Sequence, residues 1–179
     1  MENKLYLIRE IYDSLSYRLV DKVENFYMED NSMLLGARRT GKSTMAFIEA
    51  IVQCSLNDGT SICIYTDAFS ERIHFDMLIA FCEELGIEHS KDIHNRIIIF
   101  SNRSRIGFSS GASQYRGSRY DYIVADVHHM TEDDYLYIRR ICIFNFKFIV
   151  GEQTDFVRTY IRTHPELSYT FTYEDLGVI

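Results

Sequence analysis

Eight consecutive residues, Gly36-Ala37-Arg38-Arg39-Thr40-Gly41-Lys42-Ser43, satisfy the pattern G-x-x-x-x-G-K-[ST] at every fixed position, and Thr44 follows. Each fixed position has a chemical reason. Glycines at the ends let successive backbone N–H groups curl around an anion without Cβ clashes. A lysine in Lys42's position reaches the outer phosphates of a nucleoside triphosphate. The hydroxyl of Ser43 is placed to ligate magnesium. A helix beginning here aims the positive end of its dipole at the same anion. Residues 36–44 are therefore read as a Walker A phosphate loop for ATP with Mg2+. The competing reading is a plain glycine turn between a strand and a helix. A complete chance match in a chain of this length is on the order of one per cent.

Such a site needs a carboxylate at the end of a neighbouring strand to hold the metal shell. Tyr122-Ile123-Val124-Ala125 are mostly apolar and lead into Asp126, which is the candidate second magnesium residue; a turn or cap aspartate is the alternative. Many ATPases place a glutamate directly after this aspartate to orient the attacking water. Here Val127, His128, His129 and Met130 follow. Glu132, from the next helix start, is the candidate replacement, and His128 or His129 are alternatives. Asp67, after the run SICIYT, is a further acid for the site or a turn residue. Tyr17, Phe26 or Tyr27 would either stack on adenine or pack in the core.

These residues require a scaffold that brings strand ends together. Residues 3–28 carry Leu5, Ile8, Ile11, Tyr12, Leu15 and Leu19 at helical spacing and predict one or two helices. Ser32–Leu35 predicts a short strand, ended by Gly36. Residues 41–57 predict a helix with Met45, Ile48 and Val52 on one face, stopped by Asn57-Asp58-Gly59. Ser61–Thr66 is an apolar run without clean alternation, as in a strand covered on both faces. A helix from Ser70 to Leu85 ends at Gly86. Arg96–Ser101 and Asp121–Val127 predict strands, and Arg105–Ser109 an edge strand or hairpin arm. Residues 131–141 predict a helix whose first turn holds Glu132, Asp133 and Asp134, where acids suit the dipole. Phe146–Val150 and Tyr169–Tyr173 complete the strands. Strands alternating with helices predict a mostly parallel sheet with helices on both faces, joined by right-handed crossovers. That is the α/β three-layer sandwich of a P-loop NTPase.

The totals agree with one globular domain, 1–179, with residues 1–31 as a helical lead-in: 179 residues, 46% hydrophobic and 25% charged. Pro165 is the single proline, which excludes Pro-rich linkers. No apolar run reaches the roughly 18 residues of a membrane span. The start, MENKLYLIREIYDSL, does not read as a signal peptide, so an unsecreted, cytoplasmic protein with no membrane partner is expected. Cys54, Cys63, Cys82 and Cys142 lack C-x-x-C spacing and sit in apolar stretches, which predicts buried reduced thiols rather than structural zinc. The net charge of -7 argues against autonomous nucleic-acid binding, although Arg38–Arg39, Arg103–Arg105 and Arg116–Arg119 form local basic clusters.

Three stretches together resemble the ATPase domain of large terminase subunits, the motors that package DNA into tailed-phage and herpesvirus capsids. They are GARRTGKST at 36–44, SRIGFSSGA at 104–112 followed by YRGSR at 115–119, and YDYIVAD at 120–126. The resemblance covers about 33–155. It implies an oligomeric ATPase that acts on double-stranded DNA with viral packaging partners in a host cell. It implies that Arg38 or Arg39 contacts the γ-phosphate, and that Gly151-Glu152-Gln153-Thr154 falls where the family couples hydrolysis to movement. Two departures stand out: a glutamate does not follow Asp126, and the stretch after the coupling region is too short for the family's C-terminal nuclease domain, so nuclease activity is not expected of these residues. Arg116 and Arg119 would be fingers toward a neighbour's nucleotide, DNA contacts, or a solvated loop; Arg103 and Arg105 read as hairpin charges. A nucleoside or nucleotide kinase on the same scaffold, and a nucleotide-binding module without turnover, are the competing functions.

Overall fold

Alternating faces of the strands bury two separate apolar cores, and this fixes the three-layer architecture. The computed structural model describes residues 2–36, 40–110, 119–172 and 175. Two helices come first, α1 (Glu2–Ser14) and α2 (Asp21–Met28), then β1 (Met33–Gly36), α3 (Lys42–Leu56), β2 (Ser61–Thr66) and α4 (Glu71–Glu84). β3 (His89–Asp92), β4 (Ile97–Phe100), β5 (Arg105–Ser109) and β6 (Tyr120–Val127) follow. The chain closes with α5 (Glu132–Ile141), β7 (Cys142–Val150), α6 (Asp155–Thr163), a short 3₁₀ turn at Pro165–Leu167 and β8 (Ser168–Phe171). No helix among the described residues is long and apolar enough to cross a membrane.

The strand order is β3-β4-β5-β2-β6-β7-β1-β8. The six strands from β5 to β8 run parallel; β4 pairs antiparallel with both β3 and β5. Because side chains alternate along a strand, Leu34, Ile62, Ile64, Val124 and Ile149 face one core with α1 to α4. Met33, Leu35, Cys63, Tyr65, Ile123, Ala125, Phe148 and Val150 face the other with α5 and α6. The expected sandwich is therefore present. Arg105–Ser109 departs from expectation: β5 lies inside the sheet, parallel to β2, and the edge on that side is the polar β3.

Local signals explain the element ends. Thr131 accepts a hydrogen bond from the Asp134 amide, and Asp134 accepts one from the Thr131 amide, a reciprocal cap for α5. Thr154 does the same work for α6, accepting from the Val157 amide. Ser70 precedes α4, but its side chain makes no capping bond. Gly86 ends that helix with φ +66°, which a side chain rarely tolerates. Lys4 donates to buried Glu49 at 2.9 Å and pins α1 to α3.

A cation is buried inside this frame. Lys147 on β7 donates to the carbonyls of Phe26 and Glu29 and to Ser32 Oγ, and its ammonium sits 5.1 Å from the Phe26 ring centre. It thereby satisfies carbonyls at the end of α2, which have no partner in the helix. Burial pulls this ammonium down from 10.5 to about 8. Between those values the unfolded chain binds a proton that the native chain lacks, so stability from this site rises with pH. Below about pH 8 both states hold the proton and the slope vanishes. The rise amounts to at most about 3 kcal/mol. The difference in urea unfolding free energy between wild type and Lys147→Met should grow from about pH 7.5 to about pH 10. A flat difference would refute the buried-ammonium assignment.

Candidate functional site

The sheet register assembles the site. Leu35 pairs with Val150, Val150 with Val127, and Asp126 with Thr66. Asp126 is therefore level with Leu34, and Gly36 stands two residues further along, roughly 7 Å along the strand direction and two strands, roughly 10 Å, across the ladder. Both lie at the carboxyl ends of their strands, where open α/β sheets bind ligands.

Gly36 and Gly41 shape the loop. A Cβ on Gly36 would come within 3.0 Å of Thr40 Oγ1 and 3.2 Å of the Lys42 stem. Gly41 has φ +76° and forms the N-terminal flank of α3. Thr40 is buried, Lys42 and Ser43 open the helix, and Thr44 follows half-buried. Ala37, Arg38 and Arg39 lie outside the described residues.

Asp126 is 6% exposed and faces this helix start. Ser43 hydrogen-bonds its carboxylate, and Lys42 lies near enough to favour its charge. Burial nevertheless outweighs these and holds the Asp126 carboxyl above its ordinary value; the Ser43 bond, His74 and Lys42 pull the other way. Oδ2 of Asp126 is buried and has no hydrogen-bond partner. An orphaned buried carboxylate oxygen beside a serine hydroxyl is the donor pair a magnesium shell requires. These residues fit the metal.

His74 on α4 is absent from the sequence candidates, yet it lies at the centre of this cluster. Its Nδ1 shares a hydrogen bond of 2.9 Å with Thr66 Oγ1. Its Nε2 lies 3.5 Å from Ser43 Oγ and 3.7 Å from Asp126 Oδ2. The Phe47 ring meets the imidazole edge-on. A signal exists in the sequence: His74 shares the helical face of buried Leu78 and Phe81, a polar residue on an apolar stripe shortly after β2.

The other candidates separate. Asp67 accepts a hydrogen bond from the His128 amide at 3.2 Å, close enough to oppose the charge on Asp126. Glu132 is exposed at the start of α5, on a groove with Met130, Thr154 and Asp155. Phe26 and Tyr27 are fully buried core residues. Tyr17 is half-exposed and lines a cleft with Tyr12, Arg18, Thr40, Gly41 and Thr44, directly beside the loop. Arg119 precedes β6, at the end of the strand opposite Asp126 and roughly 20 Å from it. Arg105 donates to Ser61 Oγ at that same far end, and Arg103 occupies a positive-φ turn. Tyr115 and Arg116 lie outside the described residues. Beyond β7, Thr154 donates to the Met130 carbonyl at 2.5 Å and ties the start of α6 to the segment after Asp126.

The fold is the three-layer α/β sandwich of P-loop NTPases, with a mostly parallel sheet between two helical layers. Among solved structures, the chain is similar to the large terminase of a thermophilic bacteriophage, with a TM-score of 0.69 at 11% identity over 90% of this chain and 48% of that one. A form of the same terminase in complex with ATP-γ-S also gives 0.69, at 10% identity. The large terminase ATPase domain of Thermus phage P74-26 gives 0.63 at 14% identity, covering 90% of this chain and 83% of that one. The chain spans about half the length of the first of these terminases. No family model matches the sequence, and no curated protein does. The likeness is one of fold: this chain has the fold of a large terminase ATPase domain.

Proposed function

We propose that the protein binds Mg-ATP at residues 36–44 and hydrolyses it to move double-stranded DNA, as one copy of an oligomeric motor of the terminase type. The single observation that carries the nucleotide site is the buried Asp126 oxygen that accepts no hydrogen bond, beside Ser43 and Lys42. The fold shared with terminase ATPase domains supports the motor reading.

In this reading the amides around Gly36 and Gly41 and the Lys42 ammonium hold the phosphates. Ser43 and Asp126 hold magnesium, which would neutralise charge on the phosphate oxygens. Arg38 or Arg39 supplies further positive charge by resemblance. Phosphoryl transfer needs positioning and electrostatics more than covalent help. Tyr17 and Arg18 offer an aromatic face and a planar cation for the base. His74 orients Ser43 and Asp126 from behind. Thr154, bonded to the segment after Asp126, couples the site to α6.

Steady-state ATP turnover with and without double-stranded DNA tests the function. Turnover is expected to require magnesium and to rise on adding DNA. Turnover that no DNA stimulates at any protein concentration would refute the motor. Tight ATP binding without turnover would identify a binding module, which Val127 in the glutamate position favours. Phosphate transfer to nucleosides would identify a kinase.

A further inference from the structure

The loops that leave β6 and β7 hold a second group of ligand atoms, none of them from residues of the phosphate loop. His128 Nε2 lies 3.7 Å from Glu152 Oε2, and His129 Nδ1 lies 3.2 Å from the same oxygen. One ligand atom from each of the three residues falls within 4.8 Å of the others. We propose that His128, His129 and Glu152 form a three-ligand site for a divalent transition metal, zinc foremost, with its remaining position open.

The geometry fits the ion. Ligand atoms bound tetrahedrally at about 2.1 Å stand about 3.4 Å apart, close to the two histidine–carboxylate spacings already present. Two imidazoles and one carboxylate suit zinc and its neighbours, whereas magnesium prefers oxygen alone. Three protein ligands with one open position is the pattern of accessible rather than closed zinc sites. The His128 side chain is 33% exposed and those of His129 and Glu152 are 56% exposed, so an ion can enter.

The backbone holds the ligands in place without the ion. The Gly151 amide donates to the carbonyls of both Val127 and His128, locking the two loops together as they leave the sheet. Only glycine allows the His128 ring to seat there, because a Cβ on Gly151 would lie 2.2 Å from His128 Nδ1. The His128 amide is itself held by Asp67. A zinc ion would thus staple the segment after Asp126 to residues 151–154. The cysteine spacing predicts no thiolate zinc centre, and this site uses no thiol.

Zinc affinity of the metal-free full chain should be measured by competition with a chromophoric chelator, without ATP or magnesium, so that the result is independent of the nucleotide site. One equivalent of Zn2+ is expected to bind with micromolar affinity or better. His129→Ala and Glu152→Gln should each weaken it by about tenfold or more, with unfolding midpoints unchanged. Gly151→Ala should weaken it too, by displacing the His128 ring. Co2+ should give the visible absorption of a low-coordinate nitrogen–oxygen site. No saturable binding in this range, unchanged affinity in both ligand variants, or a cobalt–thiolate charge-transfer band would each overturn the proposal.

Discussion

Lys42→Ala is expected to weaken ATP binding by about 2–5 kcal/mol, roughly 30-fold or more, and to remove turnover. In the proposed site the Lys42 ammonium is the side-chain cation that would meet the outer phosphates. Backbone amides and the α3 dipole remain in the variant, so residual weak binding is expected; a helix terminus alone contributes about 1 kcal/mol. Alanine is a strong helix former and Lys42 opens α3, so the fold should persist. Calorimetric titration with ATP and magnesium, beside an unfolding curve, separates the two effects. Affinity within about threefold of wild type, a difference of less than about 1 kcal/mol, would refute the phosphate loop.

How much of the site is legible in the sequence depends on how local each signal is. The phosphate loop reads directly because its chemistry is packed into eight contiguous residues. Asp126 reads almost as well, since a buried strand ending in an acid is a local pattern. His74 escapes such a reading because its meaning appears only when α4 lies across β2 and brings it to Ser43 and Asp126, residues distant in sequence. The pair His128–His129 reads in the sequence only as a substitute for the missing glutamate, until β7 places Glu152 beside them.

The strands divide the same way. SICIYT and DYIVADV announce themselves by apolar runs covered on both faces. The strand His89–Asp92 has no such run, because an edge strand needs only backbone pairing on one side, and polar side chains discourage further pairing. Helix α6 is missing from the sequence expectations, although Thr154 caps it and Val157 and Tyr160 face the core one turn apart. Its stretch, DFVRTYIRT, mixes β-branched and aromatic residues that favour strands. Tertiary burial of Tyr160 against Phe148 and Tyr135 overrides that local preference.

Asp126→Asn is expected to separate stability from function at one atom. The wild-type carboxyl is pushed above its ordinary value, chiefly by burial. Between the unfolded and folded values the native state holds a proton that the unfolded chain releases, so stability from this group falls as pH rises. Near neutral pH the metal-free protein therefore carries the cost of a buried carboxylate with one oxygen that accepts no hydrogen bond. Asparagine keeps the shape, can still accept from Ser43 and carries no charge. The variant should be as stable as wild type near neutral pH or more stable by about 1–3 kcal/mol, and it should lose the decline with rising pH that this one carboxyl contributes. Turnover should fall by at least about 100-fold, because the metal loses its anionic anchor while the Lys42 contacts persist. Magnesium should raise ATP affinity in wild type and fail to do so in the variant. A structural aspartate would behave in the opposite way, since its loss would destabilise the fold and leave magnesium dependence intact. Paired urea unfolding curves and magnesium titrations of turnover distinguish the two, and a destabilised variant that still hydrolyses ATP would remove Asp126 from the site.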